Sequence, residues 1–263
     1  MSAAFVPQAG AVFSADIAVP EHDWEVRFYS QVLSTGGNPL WREADLMNNA
    51  GMPVIGLGPM NDEYRNLPLQ WMPHIQVPDV ARSARFAVEL GGTELMHGRD
   101  EDGMSQWAVL LDPNGAAFGL IPIVSSDQLP VPGIEPEAGE IGRIAFLDLT
   151  VPDAAATRDF YVQVVGWKVQ EVELKDGECT YSDYLMLGAA GQGFAGICHA
   201  RGVNASLPPV WLLYLPVNDI TESIRRVEQE GGKVLRASRN KTGEYNYVVV
   251  EDPVGAVFAL SPG

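Results

Sequence analysis

Four short stretches of alternating polar and apolar residues recur along the chain, and each leads into a segment with helical periodicity. Alternation predicts strands with one buried face and one open face, and the four strands are residues 14–19, 72–77, 146–151 and 212–217. An acidic residue follows each strand, where its carboxylate would cap the next helix and complement the helix dipole. These residues are Glu21, Asp79, Asp153 and Asp219.

The helical segments are followed by further strands and a tight turn. In the last segment, Ile220, Ile224 and Val227 recur at helical spacing, and the glycine pair at 231–232 ends the helix. The turns are Asp-Pro-Asn-Gly at 112–115 and Asp-Pro-Val-Gly at 252–255, with proline and glycine where a type I turn favours them. We therefore predict that each of the four strands, with the helix and the strands that follow it, forms one βαβββ module.

The second half of the sequence repeats the first, so the modules form two pairs. The Asp-Pro-x-Gly turn returns after 140 residues, whereas the Phe28-Tyr29 pair returns after 132, so the first half is 8 residues shorter in between. The prediction is an α+β protein with four βαβββ modules. Its domains are residues 1–124 and 142–263, and the proline-containing segment 125–141 is the predicted linker.

Composition narrows the class of partner. The 263 residues include 34 acidic and 17 basic side chains, which give a net charge of −17 and argue against nucleic acid or an anionic membrane as partner. The first ten residues lack the features of a signal peptide, and no apolar run is long enough to span a bilayer. We therefore expect a cytoplasmic protein, either a monomer or a homodimer.

The paired modules, the Asp-Pro-x-Gly turns and the Phe-Tyr helices resemble the vicinal oxygen chelate superfamily. This group includes glyoxalase I, extradiol dioxygenases, and the bleomycin and fosfomycin resistance proteins. The segment Pro209-Val210-Trp211-Leu212-Leu213-Tyr214 is similar to a motif of its tandem glyoxalase-like branch, whose members are often called hydroxylases. The resemblance covers nearly the whole chain. It implies that two modules form one open, U-shaped sheet of eight strands around a pocket, with two pockets per chain.

The metal ligands that this resemblance implies are missing from the sequence. The first-strand positions that hold a metal-binding His or Gln in the family fall on Ser14, Met72, Phe146 and Leu212. The terminal-strand Glu is replaced by Gly119 and Ala259. Apolar side chains offer no oxygen or imidazole ligand to a divalent ion, and no glycine-rich phosphate-binding motif is present. We therefore expect neither a metal nor an organic cofactor.

Two residues after each first-strand position, the same face carries Asp16, His74, Asp148 and Tyr214. The two-fold relation of paired modules predicts that Asp16 faces His74 in the first domain. Such a pair in an apolar cavity can transfer protons near neutral pH, or it can be a buried polar pair that fixes the sheet. For Asp148 with Tyr214, the structural role is the better prediction.

The remaining candidates for ligand binding share these strands or border the shortened segment. On the predicted pocket faces they are Ser14, Met72 and Gln76 in the first domain and Phe146, Asp148 and Tyr214 in the second. Trp41 and Arg42 lie beside the shortened segment. Loss of an outer strand there would widen the mouth of the first pocket.

Several functions are consistent with these residues. The first is a metal-independent enzyme that acts on a small, partly hydrophobic molecule, with Asp16 and His74 catalysing an isomerase-, cyclase- or lyase-type proton transfer. The second is a protein that sequesters such a molecule, as resistance proteins of the resembled family do. Weaker alternatives are a scaffold with vestigial pockets and a metal-dependent dioxygenase or lyase with an unrecognised site. Fold resemblance alone does not choose between them.

Overall fold

The computed structural model describes residues 6–33, 41–42, 45–47, 53–125 and 143–263. These ranges form two eight-stranded sheets, each accompanied by two helices. The predicted linker, 125–141, lies outside the described residues except for Ser125, so the domain boundaries stay a prediction. No helix within the described ranges is long and apolar enough to cross a membrane.

Domain one is the first sheet with its two helices. Its elements are β1 (Val12–Val19), α1 (His22–Leu33), β2 (Trp41–Arg42), β3 (Asp45–Met47), β4 (Pro53–Pro59), β5 (Met72–Val77), α2 (Val80–Glu89), β6 (Thr93–Arg99), β7 (Ser105–Leu111) and β8 (Ala117–Pro122). The strand order is β2-β3-β4-β1-β5-β8-β7-β6. In each module the first strand runs parallel to the last, and the antiparallel pair β1–β5 joins the two modules.

Domain two repeats this topology. Its elements are β9 (Phe146–Val151), α3 (Ala154–Val165), β10 (Lys168–Asp176), β11 (Cys179–Leu187), β12 (Gly193–His199), a short 3-10 helix (Gly202–Asn204), β13 (Trp211–Val217), α4 (Ile220–Gln229), β14 (Lys233–Arg239), β15 (Tyr245–Glu251) and β16 (Val257–Pro262). The strand order is β10-β11-β12-β9-β13-β16-β15-β14. The predicted α+β fold with four βαβββ modules is confirmed.

One prediction about the outer strand was wrong. Domain one has not lost this strand, because β2 still pairs with β3 at the end of the sheet. It is shortened to 2 residues, whereas its counterpart β10 has 9. The 8 residues missing from the first half therefore shorten the edge of the sheet without removing a strand.

Aspartates cap three of the helices as the sequence predicts. The side chains of Asp79, Asp153 and Asp219 each accept a backbone N–H from the residue three positions later, at 2.9 Å. This bond satisfies one of the free donors in the first turn of the helix. Each cap fixes the point at which the chain leaves a central strand, so the strand register and the helix start are set together.

The core lies between the helices and one face of each sheet. In β1, Ala15, Ile17 and Val19 are fully buried beneath the helices, and Ser14 and Asp16 lie on the opposite face. The same alternation buries Leu147, Leu149 and Val151 in β9. Burial of a side chain of this size contributes about 1.5–3 kcal/mol, so the alternation determines which face of the sheet is left for a ligand.

The two domains are joined by a pair of reciprocal hydrogen bonds. Tyr29 of α1 donates to Asp252 at 2.8 Å and accepts from the indole of Trp71 at 3.0 Å. Tyr161 of α3 donates to Asp112 at 3.4 Å and accepts from the indole of Trp211 at 3.0 Å. Each aspartate belongs to an Asp-Pro-x-Gly turn, so the most recognisable residues of the repeat connect one domain to the other.

A second carboxylic acid lies in one of these interfaces. Glu25 of α1 is fully buried beside Asp252, and neither of its carboxyl oxygens meets a hydrogen-bond donor among the described residues. Burial, and then the charge of Asp252, raise the pKa of Glu25 to about 9. Glu25 is therefore neutral at pH 7, and its proton is available for a hydrogen bond to Asp252.

Replacing Glu25 with glutamine should change how stability depends on pH. The pKa of Glu25 is raised in the folded state, so its contribution is fully present below pH ~4.5 and is lost as the pH rises toward ~9. Glu25→Gln supplies N–H donors and cannot ionise, so its free energy of unfolding should rise relative to wild type by up to about 1.4 kcal/mol per pH unit, the limit for one proton. Urea unfolding at pH 5, 7 and 9 measures this difference.

Glu228→Gln on the exposed side of α4 is the matched control for this experiment. It should differ from wild type by the same amount at every pH. A Glu25→Gln difference that did not vary with pH would contradict a proton held between the two buried acids.

Candidate functional site

A cavity of about 470 Å³ lies on the open face of the domain-one sheet. It extends from β1, β4 and β5 to β7 and β8, and the β4–β5 connection (residues 60–71) covers one side of it. Its lining includes the side chains of Tyr64, Met72, Met96 and Trp107. We refer to it as the domain-one cavity. Its volume falls within the range of small-molecule sites.

The polar groups of the cavity wall form a short chain through His74. Its Nδ1 lies 2.9 Å from the Ser14 hydroxyl, and its Nε2 lies 3.5 Å from a carboxylate oxygen of Asp16. The His74 side chain is 19% exposed and that of Asp16 is 54% exposed. The Ser14 hydroxyl can donate to Nδ1 or accept from it, so both neutral tautomers of His74 have a partner.

The strand register explains why His74 fits here. His74 on β5 is opposite Gly119 on the parallel strand β8. A Cβ atom at position 119 would lie 2.7 Å from Cδ2 of His74, closer than real Cβ contacts allow. Gly119 therefore provides the space that the imidazole of His74 occupies.

The residues at the family's metal positions do not fit a metal ion. In domain one they are Ser14, Met72 and Gly119, which together supply one hydroxyl oxygen and a thioether. Divalent ions of the hard or borderline class bind carboxylates and imidazoles. Over the part of the chain that the structure describes, no three His, Cys, Asp or Glu side chains are grouped as a metal site would need.

The structure brings some of the predicted site residues together and separates others. Asp16, Met72 and His74 line the domain-one cavity, and the buried Ser14 is bonded to His74; the roles of all four stay predictions. Gln76 is fully buried and is not part of the cavity lining, because its amide donates to Ala11 and accepts from Val124.

The other predicted residues lie at the edge of domain one or in domain two. Trp41 and Arg42 form β2, but their side chains lie outside what the structure describes. Phe146, Asp148 and Tyr214 are neighbours on the open face of domain two: Tyr214 donates to Asp148 at 2.7 Å, and its ring packs edge-on against Phe146.

The open face of domain two carries side chains that bond to and pack on one another. Besides the Tyr214–Asp148 bond, the ring of Tyr247 packs on Tyr214, and Arg236 donates to Asn204 of the 3-10 helix. Burial raises the pKa of the Asp148 carboxyl to about 6, although the hydrogen bond from Tyr214 favours its ionised form. These polar groups satisfy one another, which supports the structural role predicted for Asp148 with Tyr214.

The internal repeat shows which residues of the cavity wall differ from their equivalents in domain two. Residues 140 positions apart are equivalent in this region, so Tyr64, His74, Met96 and Trp107 take the places of Asn204, Tyr214, Arg236 and Tyr247. In domain two Arg236 donates to Asn204, whereas Met96, at the equivalent position of domain one, has no polar group that could bind Tyr64. The alternation rule, if applied to β7 as well as to the first strands, would have found Trp107.

The remaining histidines are used within the fold. His22 is bonded to the carbonyl of Leu57 at 2.8 Å, and His97 to Glu94 at 2.9 Å. His199 lies 3.0 Å from a carboxylate oxygen of Asp183. Of the four histidines in the chain, His74 is the one that lines the domain-one cavity.

Comparison with known proteins covers both domains. The family model of the glyoxalase/bleomycin resistance protein/dioxygenase superfamily matches residues 141–260, and a glyoxalase-like domain model matches residues 13–121. The anthracycline biosynthesis protein DauV of Streptomyces sp. (strain C5) is 31% identical over 127 residues, and DnrV of Streptomyces peucetius is 30% identical over 127. Both matches cover 45% of this chain and 46% of the relative, so they span about half the length of either protein.

Solved structures share the fold of the whole described chain. A variant of homoprotocatechuate 2,3-dioxygenase from B. fuscum superposes with a TM-score of 0.59 at 16% identity, covering 98% of this chain and 72% of that one. The Mn(II)-bound glyoxalase from Novosphingobium aromaticivorans gives 0.58 at 16% identity, covering 98% and 83%. At this identity the likeness establishes the fold and leaves the chemistry to the residues of the cavity.

An added methyl group at position 119 should displace His74. Gly119→Ala is expected to shift both imidazole ¹⁵N signals of His74 in ¹H–¹⁵N spectra and to lower the free energy of unfolding by roughly 1–3 kcal/mol, the usual cost of overpacking. Gly58→Ala is the matched control, because its Cβ would lie 3.9 Å from the nearest atom, Ile17 O, in the wall of the same cavity. Unchanged His74 signals in Gly119→Ala would show that the imidazole does not pack against β8.

Proposed function

Because this chain belongs to the glyoxalase/bleomycin resistance protein/dioxygenase superfamily, we propose that domain one binds a small, partly hydrophobic organic molecule and moves a proton on it without a metal ion. The observation that carries this proposal is the position of His74, which lines the cavity with Nε2 3.5 Å from Asp16. Two relatives are named anthracycline biosynthesis proteins, which supports an organic small molecule as the ligand.

His74 has the contacts that a proton carrier needs. With Nδ1–H donating to Ser14, Nε2 presents a lone pair that takes a proton from an acidic C–H or O–H group of the ligand. The imidazolium formed is stabilised by the carboxylate of Asp16. Returning the proton to a different atom of the same molecule completes an isomerisation with no change in the protein. A cyclisation or an elimination would use the same two transfers.

Asp16 acts through His74 rather than on the ligand. One of its carboxylate oxygens lies 3.5 Å from Nε2 of His74, and its side chain is 54% exposed. Ser14 is buried behind the ring and holds its orientation through Nδ1. The three side chains come from two adjacent strands, β1 and β5, so the rigid centre of the sheet sets their spacing.

A second candidate function is binding without chemistry. The 3.5 Å between His74 and Asp16 is longer than an N–H···O hydrogen bond, and the cavity lining is mostly apolar. Both features suit a protein that sequesters its ligand. The two functions differ in one respect: only the enzyme needs the nitrogen atoms of His74.

Replacing His74 with phenylalanine separates these functions. Tyr214 at the equivalent position shows that an aromatic ring fits this slot, so His74→Phe should preserve the cavity while removing the proton carrier. In D₂O, wild-type protein should catalyse deuterium uptake at the enolisable positions of 2-tetralone or cyclohexanone, and His74→Phe should lower the rate by about 10²–10⁴-fold. Mass spectrometry follows uptake, and calorimetry measures affinity.

The matched control is His97→Phe, which alters a histidine of β6 that bonds to Glu94 outside the cavity lining. It should exchange deuterium at the wild-type rate. If wild-type protein bound the ketones but no exchange depended on His74, the enzymatic function would be rejected and the sequestering function would stand.

A further inference from the structure

Trp107 gives the domain-one cavity an aromatic surface that the fold does not use. Its side chain is 39% exposed, whereas Trp71 and Trp211 are fully buried and hydrogen-bonded in the core. Trp107 lies on β7 and lines the cavity. A large aromatic side chain exposed inside a concave site is a common feature of small-molecule binding sites.

Gly98 holds the indole in place. It is the cross-strand partner of Trp107 in the β6–β7 pair, and a Cβ there would lie 2.2 Å from the indole Cε2. The ring therefore lies against the backbone of β6, in a place that a side chain at position 98 would occupy. One face of the indole packs against β6, and the exposed part of the ring is available to a ligand.

In domain two the aromatic ring at the equivalent position packs on neighbouring side chains. Tyr247 is the equivalent of Trp107, and Ser238 is the equivalent of Gly98. The ring of Tyr247 packs on Tyr214 with centroids 5.4 Å apart, and Arg236 lies 5.5 Å from its centroid. In domain one, His74 and Met96 replace these two neighbours.

The surroundings of Trp107 define the shape and charge of the ligand. Met72 and Met96 line the same cavity, and thioethers pack favourably against aromatic rings. The charged side chains of the described lining, Asp16 and Glu63, are both acidic, which disfavours an anionic molecule. A neutral oxygen substituent of the ligand would form its hydrogen bond with His74.

We propose that the domain-one cavity selects neutral, planar, fused-ring aromatic molecules that stack on Trp107 and direct a hydroxyl or ketone oxygen toward His74. The proposal rests on the function proposed above for the same cavity and adds the class of ligand to it. A cavity of about 470 Å³ accommodates a fused system of two or three rings.

Three probes of one skeleton test the shape and charge of the ligand by calorimetry. 2-Naphthol is planar and neutral, decahydro-2-naphthol is saturated and non-planar, and 2-naphthoate is planar and anionic. Wild-type protein should bind 2-naphthol roughly fivefold to tenfold more tightly than the saturated alcohol, the factor expected from aromatic stacking. It should also bind 2-naphthol more tightly than 2-naphthoate.

Variants assign the preference to Trp107. Trp107→Leu should lower 2-naphthol affinity to that of the saturated alcohol and leave the alcohol unchanged, while Trp107→Tyr should retain the preference. Gly98→Ser should reproduce the loss by displacing the indole, with the indole still present. Tyr247→Leu, at the equivalent position of domain two, is the matched control and should bind both probes like wild type.

Equal affinity for the planar and saturated alcohols, or a preference that survives Trp107→Leu, would overturn the aromatic class. So would failure to bind 2-naphthol at all. If His74-dependent exchange on cyclohexanone persisted in those cases, the proposed function would stand without the aromatic class. If binding and exchange were both absent, both proposals would be rejected.

Discussion

A tyrosine hydroxyl of each domain binds the aspartate in the last turn of the other domain, and this exchange holds the turns from which the last strands of both sheets begin. Asp252 accepts from the backbone of its own turn as well as from Tyr29, and Asp112 does the same with Tyr161. The turn leads directly into β8 or β16, the strands that carry Gly119 and Ala259. The first helix of each domain therefore contacts the turn that precedes the last strand of the other domain.

On this shared frame the two pockets have diverged in content. In domain two the polar groups of the open face are paired, with Tyr214 on Asp148 and Arg236 on Asn204. In domain one, His74 is bonded to Ser14 through Nδ1, and its Nε2 lies 3.5 Å from Asp16 in the cavity wall. Buried polar groups that satisfy one another stabilise a fold and are not available for chemistry. The duplication has thus left one open face whose polar groups are paired with one another and one open face that borders a cavity.

The sequence predicted the modules, the buried faces and the proximity of Asp16 to His74, because alternation with period two fixes which side chains share a face. It placed Gln76 on the pocket face, whereas in the structure Gln76 is fully buried with its amide bonded to Ala11 and Val124, so its role in ligand binding stays a prediction. Those partners come from elsewhere in the chain, so no local pattern reports them. The packing of Trp107 on Gly98 likewise depends on the register in which β6 pairs with β7, and the pattern of either strand alone does not report that register.

In every module, the pocket-face residue two positions after the first-strand position lies opposite a glycine or alanine on the neighbouring strand. The pairs are Asp16 with Gly56, His74 with Gly119, Asp148 with Gly196 and Tyr214 with Ala259. Because the neighbouring strand contributes little or no side chain, residues as different as aspartate, histidine and tyrosine fit the same position without moving the backbone. Exchange at a single codon can then alter the reactivity of a pocket while the folding of the sheet is conserved. Such tolerance gives a duplicated gene a short mutational route between catalytic and inert copies, and it marks these four positions as the place to engineer a new activity.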